Sequence, residues 1–235
     1  MSIKKRNELK NFFINGSIPT QENFCDLIDS LVHKEEDSWF SEDDGVRLYP
    51  LGNSSKLLSF FENIGEKTPF MSLKKSFDSD TCALNFVNNS NDSCLYLRVD
   101  GFIGVGTVNP DCRLDVRGNS QSYGRRGTFR KGKVLGNGEW HTIIDNLSDC
   151  HAFEIIAKIN KPGKGMHSIV HAIAVSAFNG KCSEIKETVA YYANSKDKIE
   201  FKWGGNDFNY NLNMRTKRNY GENFFIEYYV TNLWW

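Results

Sequence analysis

The side chains that could perform chemistry are scattered along this 235-residue chain. His167 and His171 are four residues apart, a spacing at which two histidines on a helix can share a metal ion. Their segment, HSIVHAIAVSAF, is instead typical of a central strand, where residues i and i+4 lie about 13 Å apart. We therefore expect the two histidines to bind no common ion, and we predict no bound metal.

No arrangement of nucleophiles, carboxylates or thiols in the sequence indicates catalysis. A GxSxG nucleophile motif is missing, and the adjacent carboxylates Asp43 and Asp44 stand in the turn-like SEDDG cluster, where we expect them to be solvated. The six cysteines include no CxxC pair of the kind that binds zinc, and we expect free, buried thiols. We predict a protein without enzymatic activity and without an organic cofactor.

The sequence also argues against nucleotide and nucleic-acid binding. Gly124-Arg125-Arg126-Gly127 lacks the GxxxxGK[ST] pattern of a phosphate-binding loop, and we interpret it as part of a solvated basic linker. The formal net charge is zero, whereas a general nucleic-acid binder needs an excess of Lys and Arg to neutralise phosphates.

Aromatic residues of the C-terminal half provide the candidates for a binding surface. Tyr191 and Tyr192 are adjacent, so on a strand they point to opposite faces and at least one should be exposed. The alternative is that most of these rings lie in a core, where each buries a large area. A sugar-stacking surface could draw on Trp140, Tyr191, Tyr192, Trp203, Tyr210 and Tyr220, and we take Tyr191, Tyr192, Trp203 and Tyr210 as the binding candidates.

Residues 134–235 follow a period of two that predicts half-buried strands. FEIIAKI, KIEFKW and YNLNMRTK each alternate apolar with polar residues, and Gly-, Asn- and Asp-rich turns separate them. Short strands at this spacing predict an antiparallel β-sandwich, jelly-roll-like in architecture. The Gly-, Ser- and Arg-rich residues 119–133 predict the linker that precedes this domain.

The N-terminal residues 1–40 have a helical pattern. An apolar stripe recurs at helical spacing after Pro19, with Thr20 placed to cap the helix. Such a stripe needs a partner surface, either another copy of the chain or a neighbouring subunit. We therefore predict a docking segment whose contacts include Phe24, Leu27, Leu31 and Val32.

Residues 41–118 predict a β connector or shaft. The segment LLSFFENIG could form either a helix or a strand. From Ala83 the sequence predicts short strands: ALNFV, CLYLRV and GFIGVGT. In the segment from Ile103 to Gly118, IGVGTVNPDCRLDVRG, the residues Gly104 and Gly106 lack a Cβ, which suits a sharp bend or a close approach between chains. By itself this is a β–turn–β element within a mainly β protein.

This glycine segment closely resembles the recurring GIGT-x-x-P-x-x-x-L-x-V-x-G element of phage tail fibres and related trimeric adhesins. The matching residues are Gly104, Gly106, Thr107, Pro110, Leu114, Val116 and Gly118. The N-terminal helices also look like the opening segment of tail-fibre-like proteins, some of them encoded with contractile injection systems. The run from Trp140 to Tyr192 looks like the terminal domain of the same group. The resemblance implies a homotrimer, in which Ile103, Val105, Leu114 and Val116 would be buried against their copies.

Together these features favour a structural, receptor-binding subunit of a phage tail or phage-tail-like injection particle. Its expected partners are two further copies, other tail or baseplate subunits, and a glycan or protein receptor on a cell surface. The alternative is a freestanding carbohydrate-binding or adhesin module. Since the N-terminus shows no signal-peptide pattern and no segment predicts a membrane span, we expect synthesis in the cytoplasm and a place in a virion or extracellular particle, without membrane insertion.

Overall fold

The computed structural model describes residues 4–31, 39–42, 45–50, 52–78 and 81–234. The chain divides into two compact units, Met1–Gln121 and Ser122–Trp235. Strands dominate both units, which confirms the predicted mainly β class. None of the described helices is long and apolar enough to cross a membrane.

Two short helices, α1 (Arg6–Phe12) and α2 (Gln21–Asp29), begin the first unit. Thr20 caps α2 as expected: its hydroxyl accepts from the Asn23 backbone N–H, and the Asn23 side chain accepts from the Thr20 N–H. The rings of Phe13 and Phe24 meet edge to face, with centroids 5.4 Å apart. The two helices therefore form a small hairpin. The predicted contact Val32 and the carboxylates Asp43 and Asp44 lie outside the described residues.

The rest of the first unit is β structure. A two-stranded ribbon, β1 (Trp39–Glu42) and β2 (Gly45–Leu48), precedes a six-stranded sheet whose strands follow chain order. All neighbours in this sheet are antiparallel except the last two, which are parallel. The segment LLSFFENIG, for which the sequence allowed either a helix or a strand, begins as a strand. The strands are β3 (Lys56–Phe60), β4 (Met71–Asp78), β5 (Thr81–Asn88), β6 (Ser93–Arg98), β7 (Ile103–Val105) and β8 (Leu114–Val116).

The glycine-rich motif spans β7, β8 and their connection. A Cβ on Gly104 would lie 2.3 Å from the backbone oxygen of Thr107, so a larger residue cannot fit without moving the backbone. Gly106 has φ of +72°, in the left-handed region. The chain's own turn therefore accounts for both glycines, which agrees with the sharp bend that the sequence allowed as an alternative to close approach between chains.

The second unit is a sandwich of two antiparallel sheets. Five strands run in the order β13-β12-β11-β16-β9, and three in the order β10-β15-β14. Inward side chains of both sheets form one buried cluster that includes Phe153, Ile155, Tyr210 and Met214. The strands are β9 (Arg130–Leu135), β10 (His141–Leu147), β11 (Cys150–Lys161), β12 (Met166–Ala177), β13 (Glu184–Tyr191), β14 (Ile199–Asn206), β15 (Asn209–Thr216) and β16 (Phe225–Asn232).

Two details of the second unit differ from the sequence-based expectation. Arg130–Lys133, taken as the end of a linker, belong to β9, because their backbone pairs with β16. The eight strands match a jelly roll in number. However, β11, β12 and β13 form a continuous meander within one sheet, whereas two interlocked Greek keys would divide them between sheets.

Candidate functional site

One face of the six-stranded sheet is apolar across its whole width. Residues directly opposite on neighbouring strands project to the same side, so the strand register places apolar side chains in two cross-strand rows. One row is Leu58, Leu73, Phe86, Leu95, Val105 and Val116, and it crosses all six strands; the other is Leu84, Leu97, Ile103 and Leu114, and it ends at Lys75 on β4. We call these ten residues the apolar face.

No member of the apolar face is buried. Leu84 is 40% exposed, Val105 37% and Leu114 59%. The buried residues of this sheet lie on its opposite side and include Ala83, Val87 and Tyr96, while the hydrophobic core cluster belongs entirely to the second unit. A single-layer sheet needs a second layer for stability, and contiguous exposed apolar patches mark interaction surfaces.

The structure places the predicted shaft residues on different sides of this sheet. Ile103 belongs to the apolar face, between Leu97 and Leu114. Gly104 points to the other side, opposite Tyr96. The six apolar-face residues of β3 to β6 were not among the sequence candidates. The period-two alternation of MSLKKSF, ALNFV and CLYL was their only local signal, and it could not tell which strands are neighbours.

Two of the docking candidates, Leu27 and Leu31, line a groove on the helical hairpin. The groove has a volume of about 580 Å³. Its apolar part comprises Leu9, Phe13, Leu27 and Leu31, of which Leu31 is 62% exposed. Phe24, half exposed, packs on Phe13 beside it. The rest of the lining is Ser30 and the basic residues Lys4, Arg6 and Lys10, so the groove suits an apolar segment that carries negative charge.

Two of the four aromatic binding candidates belong to the core, which corrects the sequence-based assignment. Tyr210 is fully buried, and its hydroxyl donates to the Asp149 backbone oxygen at 2.5 Å. Burial raises the pKa of this hydroxyl. Trp203 packs edge-on against Tyr210, with ring centroids 5.6 Å apart. Tyr210 thus lies inside the core, and Trp203 packs against the same core while it stays partly exposed.

The other two candidates lie at the edge of the five-stranded sheet. Tyr192 is 78% exposed and meets the ring of His167 at 5.9 Å between centroids. Tyr191 is 41% exposed, and the Lys198 ammonium lies 5.3 Å from its ring centroid. A shallow groove of about 400 Å³ follows this edge and includes both tyrosines. The four candidates therefore do not form one surface.

His167 and His171 do not share a site in the structure. His167 and His171 both lie on β12 but have separate partners: Asn160 Oδ1 at 3.4 Å and Glu154 Oε1 at 3.0 Å. Within the described ranges, no group of three His, Cys, Asp or Glu side chains is placed to hold a metal. All six cysteines are free, but none is buried, contrary to the sequence-based expectation.

The Gly124–Gly127 segment is largely exposed, as expected of a solvated linker, but its C-terminal end contacts β16. A Cβ on Gly127 would lie 2.5 Å from the Thr231 backbone nitrogen, and the Phe129 N–H donates to the Val230 oxygen at 3.0 Å. Residues 124–129, which we call the strap, thus contact β16 through Gly127 and Phe129. No sequence signal indicated this contact, since the strap has almost no aliphatic side chains.

In comparisons with known proteins, no protein-family model and no curated protein matches the chain.

Proposed function

We propose that the protein is a structural, receptor-binding subunit, a tail fibre or baseplate-associated protein, of a phage tail or phage-tail-like injection particle. It docks through the helical hairpin, assembles as a homotrimer through the six-stranded sheet and displays the C-terminal sandwich. The resemblance of Ile103–Gly118 to fibre proteins supports the particle, and the apolar face supports the assembly.

The apolar face is the main physical support for assembly through the six-stranded sheet. Fully burying an exposed large apolar side chain stabilises a protein by about 1.5–3 kcal/mol. Four members of the apolar face are exposed in one chain and the other six are half-buried; the exposed ones are Leu58, Leu84, Val105 and Leu114. Copies arranged around a threefold axis would provide the missing layer for one another. The opposite side of the sheet already shields Ala83, Val87 and Tyr96 within the chain, so it needs no partner.

Light scattering on the full-length protein tests the assembly. We expect the mass of three chains of 26.9 kDa each. The double variant Leu84→Asp/Leu114→Asp places charges on the apolar face and should have the mass of one chain. Ser59→Asp/Ser76→Asp adds the same charge to the opposite side of the sheet and should remain a trimer. A native mass of one or two chains, or a trimeric Leu84→Asp/Leu114→Asp variant, would contradict the proposal.

The second candidate, a freestanding carbohydrate-binding or adhesin module, is favoured by the exposed pair Tyr191 and Tyr192 beside His167. The exposed apolar groove of the helical hairpin argues for the first candidate, because a free module needs no docking surface. Electron microscopy of native particles, with antibody against the sandwich, separates the two: label on a particle supports the first, and label only on unassembled protein supports the second.

A further inference from the structure

The strap and the outer side of the five-stranded sheet enclose a cradle that the sequence did not predict. Its volume of about 370 Å³ falls in the range of roughly 300–1,000 Å³ that is usual for ligand pockets. The strap forms one wall through Arg125, Arg126 and Gly127. The remaining lining consists of outward-facing residues of three neighbouring strands: Glu154, Ile156 and Lys158 of β11, Ile169 of β12, and Glu227, Tyr229 and Thr231 of β16.

The floor of the cradle is apolar although it faces solvent. Ile156 is 43% exposed and Ile169 is 49% exposed. They lie on the two adjacent central strands β11 and β12, whose inward neighbours form the core. An exposed pair of isoleucines in the middle of a sheet offers a flat apolar platform to the C–H face of a ring-shaped ligand.

The charges around the floor leave one cation without a counter-charge. Glu154 pairs with Arg125 and with His171, and Glu227 pairs with Lys158 at 3.4 Å. The Arg126 guanidinium lies 4.5 Å from the centroid of the Tyr229 ring. Among the residues that the structure describes, Arg126 has no ion-pair partner. A guanidinium that contacts an aromatic ring through its face keeps its edge N–H groups available for two parallel bonds to a carboxylate.

We propose that the cradle binds an acidic sugar, with its carboxylate on Arg126 and its ring on Ile156 and Ile169. A peptide carboxylate fits less well, because peptide recognition commonly uses free backbone groups. Here β11 is hydrogen-bonded on both sides, to β12 and to β16. This inference names a ligand class for the receptor-binding part of the proposed function and depends on that part, but it does not depend on trimer formation.

Calorimetric titration of the full-length protein with oligosaccharides tests the proposal. We expect binding of an oligouronate and at least tenfold weaker binding of the neutral oligosaccharide with the same ring skeleton. Arg126→Gln keeps an apolar stem but loses the guanidinium, and it should weaken oligouronate binding at least tenfold. Lys181→Gln removes one positive charge from an exposed turn outside the cradle and should bind like the native protein.

Three results would overturn the inference: no oligouronate binding by the native protein, equal binding by Arg126→Gln, or equal binding of a sulfated and a carboxylated oligosaccharide. Light scattering on the same samples tests the trimer separately from the ligand of the cradle. A monomeric protein that binds the oligouronate refutes only the trimer, and a trimer that binds no oligouronate refutes only the cradle. Near-UV circular dichroism identical to the native spectrum establishes that Arg126→Gln is folded.

Discussion

The Tyr220 hydroxyl donates a hydrogen bond of 2.7 Å to the backbone oxygen of Asp197, and both residues are completely buried. Asp197 ends the short 3₁₀ helix Ser195–Asp197 that leads into β14. Tyr220 lies in the loop before β16, where its N–H donates to the Gly136 oxygen at 2.7 Å. The contact thus ties the entry of the three-stranded sheet to a loop that precedes a strand of the five-stranded sheet.

Replacement Tyr220→Phe should lower the free energy of unfolding by about 1–2 kcal/mol, because the Asp197 oxygen loses its buried donor. The effect should depend on pH. Burial, together with the Asp197 carboxylate, raises the pKa of Tyr220 to about 12. The neutral hydroxyl therefore stabilises the folded state fully below pH 10, and this contribution is lost as the pH rises through 12.

Urea unfolding of both proteins at pH 9 and pH 11 measures this dependence. The stability advantage of the native protein over Tyr220→Phe should shrink by about 1 kcal/mol between the two pH values. A stability difference between the two proteins that is the same at both pH values would show that the pKa of Tyr220 is not raised.

The ion pair of the fully buried Asp197 with the partly exposed Arg218 should matter more than the pair of Glu200 with Arg215, in which both side chains are partly exposed. Asp197 is 0% exposed, so Asp197→Asn should destabilise the protein by about 3 kcal/mol. Glu200 and Arg215 are 26% and 33% exposed, and Glu200→Gln should cost less than about 1 kcal/mol. Chemical denaturation of both variants measures the two values, and equal losses would refute the distinction.

Gly104→Ala tests the intrachain origin of the glycine motif. Its methyl group would collide with the Thr107 oxygen, and we expect a loss of about 1–3 kcal/mol, which is typical of overpacking. Gly118→Ala is the matched control within the same motif, since nothing lies within 4 Å of its new Cβ. Thermal unfolding that is equal for the two variants would show that the Gly104 turn adjusts freely.

Leu27→Asp/Leu31→Asp should prevent incorporation of the chain into native particles, because both positions line the groove of the helical hairpin. The sandwich should keep its β-type circular dichroism. Gln21→Asp/Cys25→Asp carries the same four-residue spacing on exposed positions outside the groove and should be incorporated normally. Quantitative immunoblots of purified particles measure incorporation, and normal levels of the Leu27/Leu31 variant would count against docking through this groove.

The mainly β class and many individual strands could be predicted from the sequence because alternation is a local property. Phe153, Ile155, Ala157 and Ile159 alternate along β11, and all four are buried as the period of two predicts. The cap at Thr20 was equally predictable, because its partner Asn23 is only three residues away. Both signals arise from backbone geometry within a few residues.

Strand pairing, by contrast, was decided only by the tertiary structure. Trp203 and Leu84 each belong to strands of alternating pattern, yet one packs against the core and the other faces solvent, because the core cluster between two packed sheets lies in the second unit. The apolar face arises from the register of six strands, and the cradle from Arg126 meeting Tyr229 across about a hundred residues. Period-two alternation tells which side of a strand is apolar, but what covers that side depends on contacts between residues far apart in the chain.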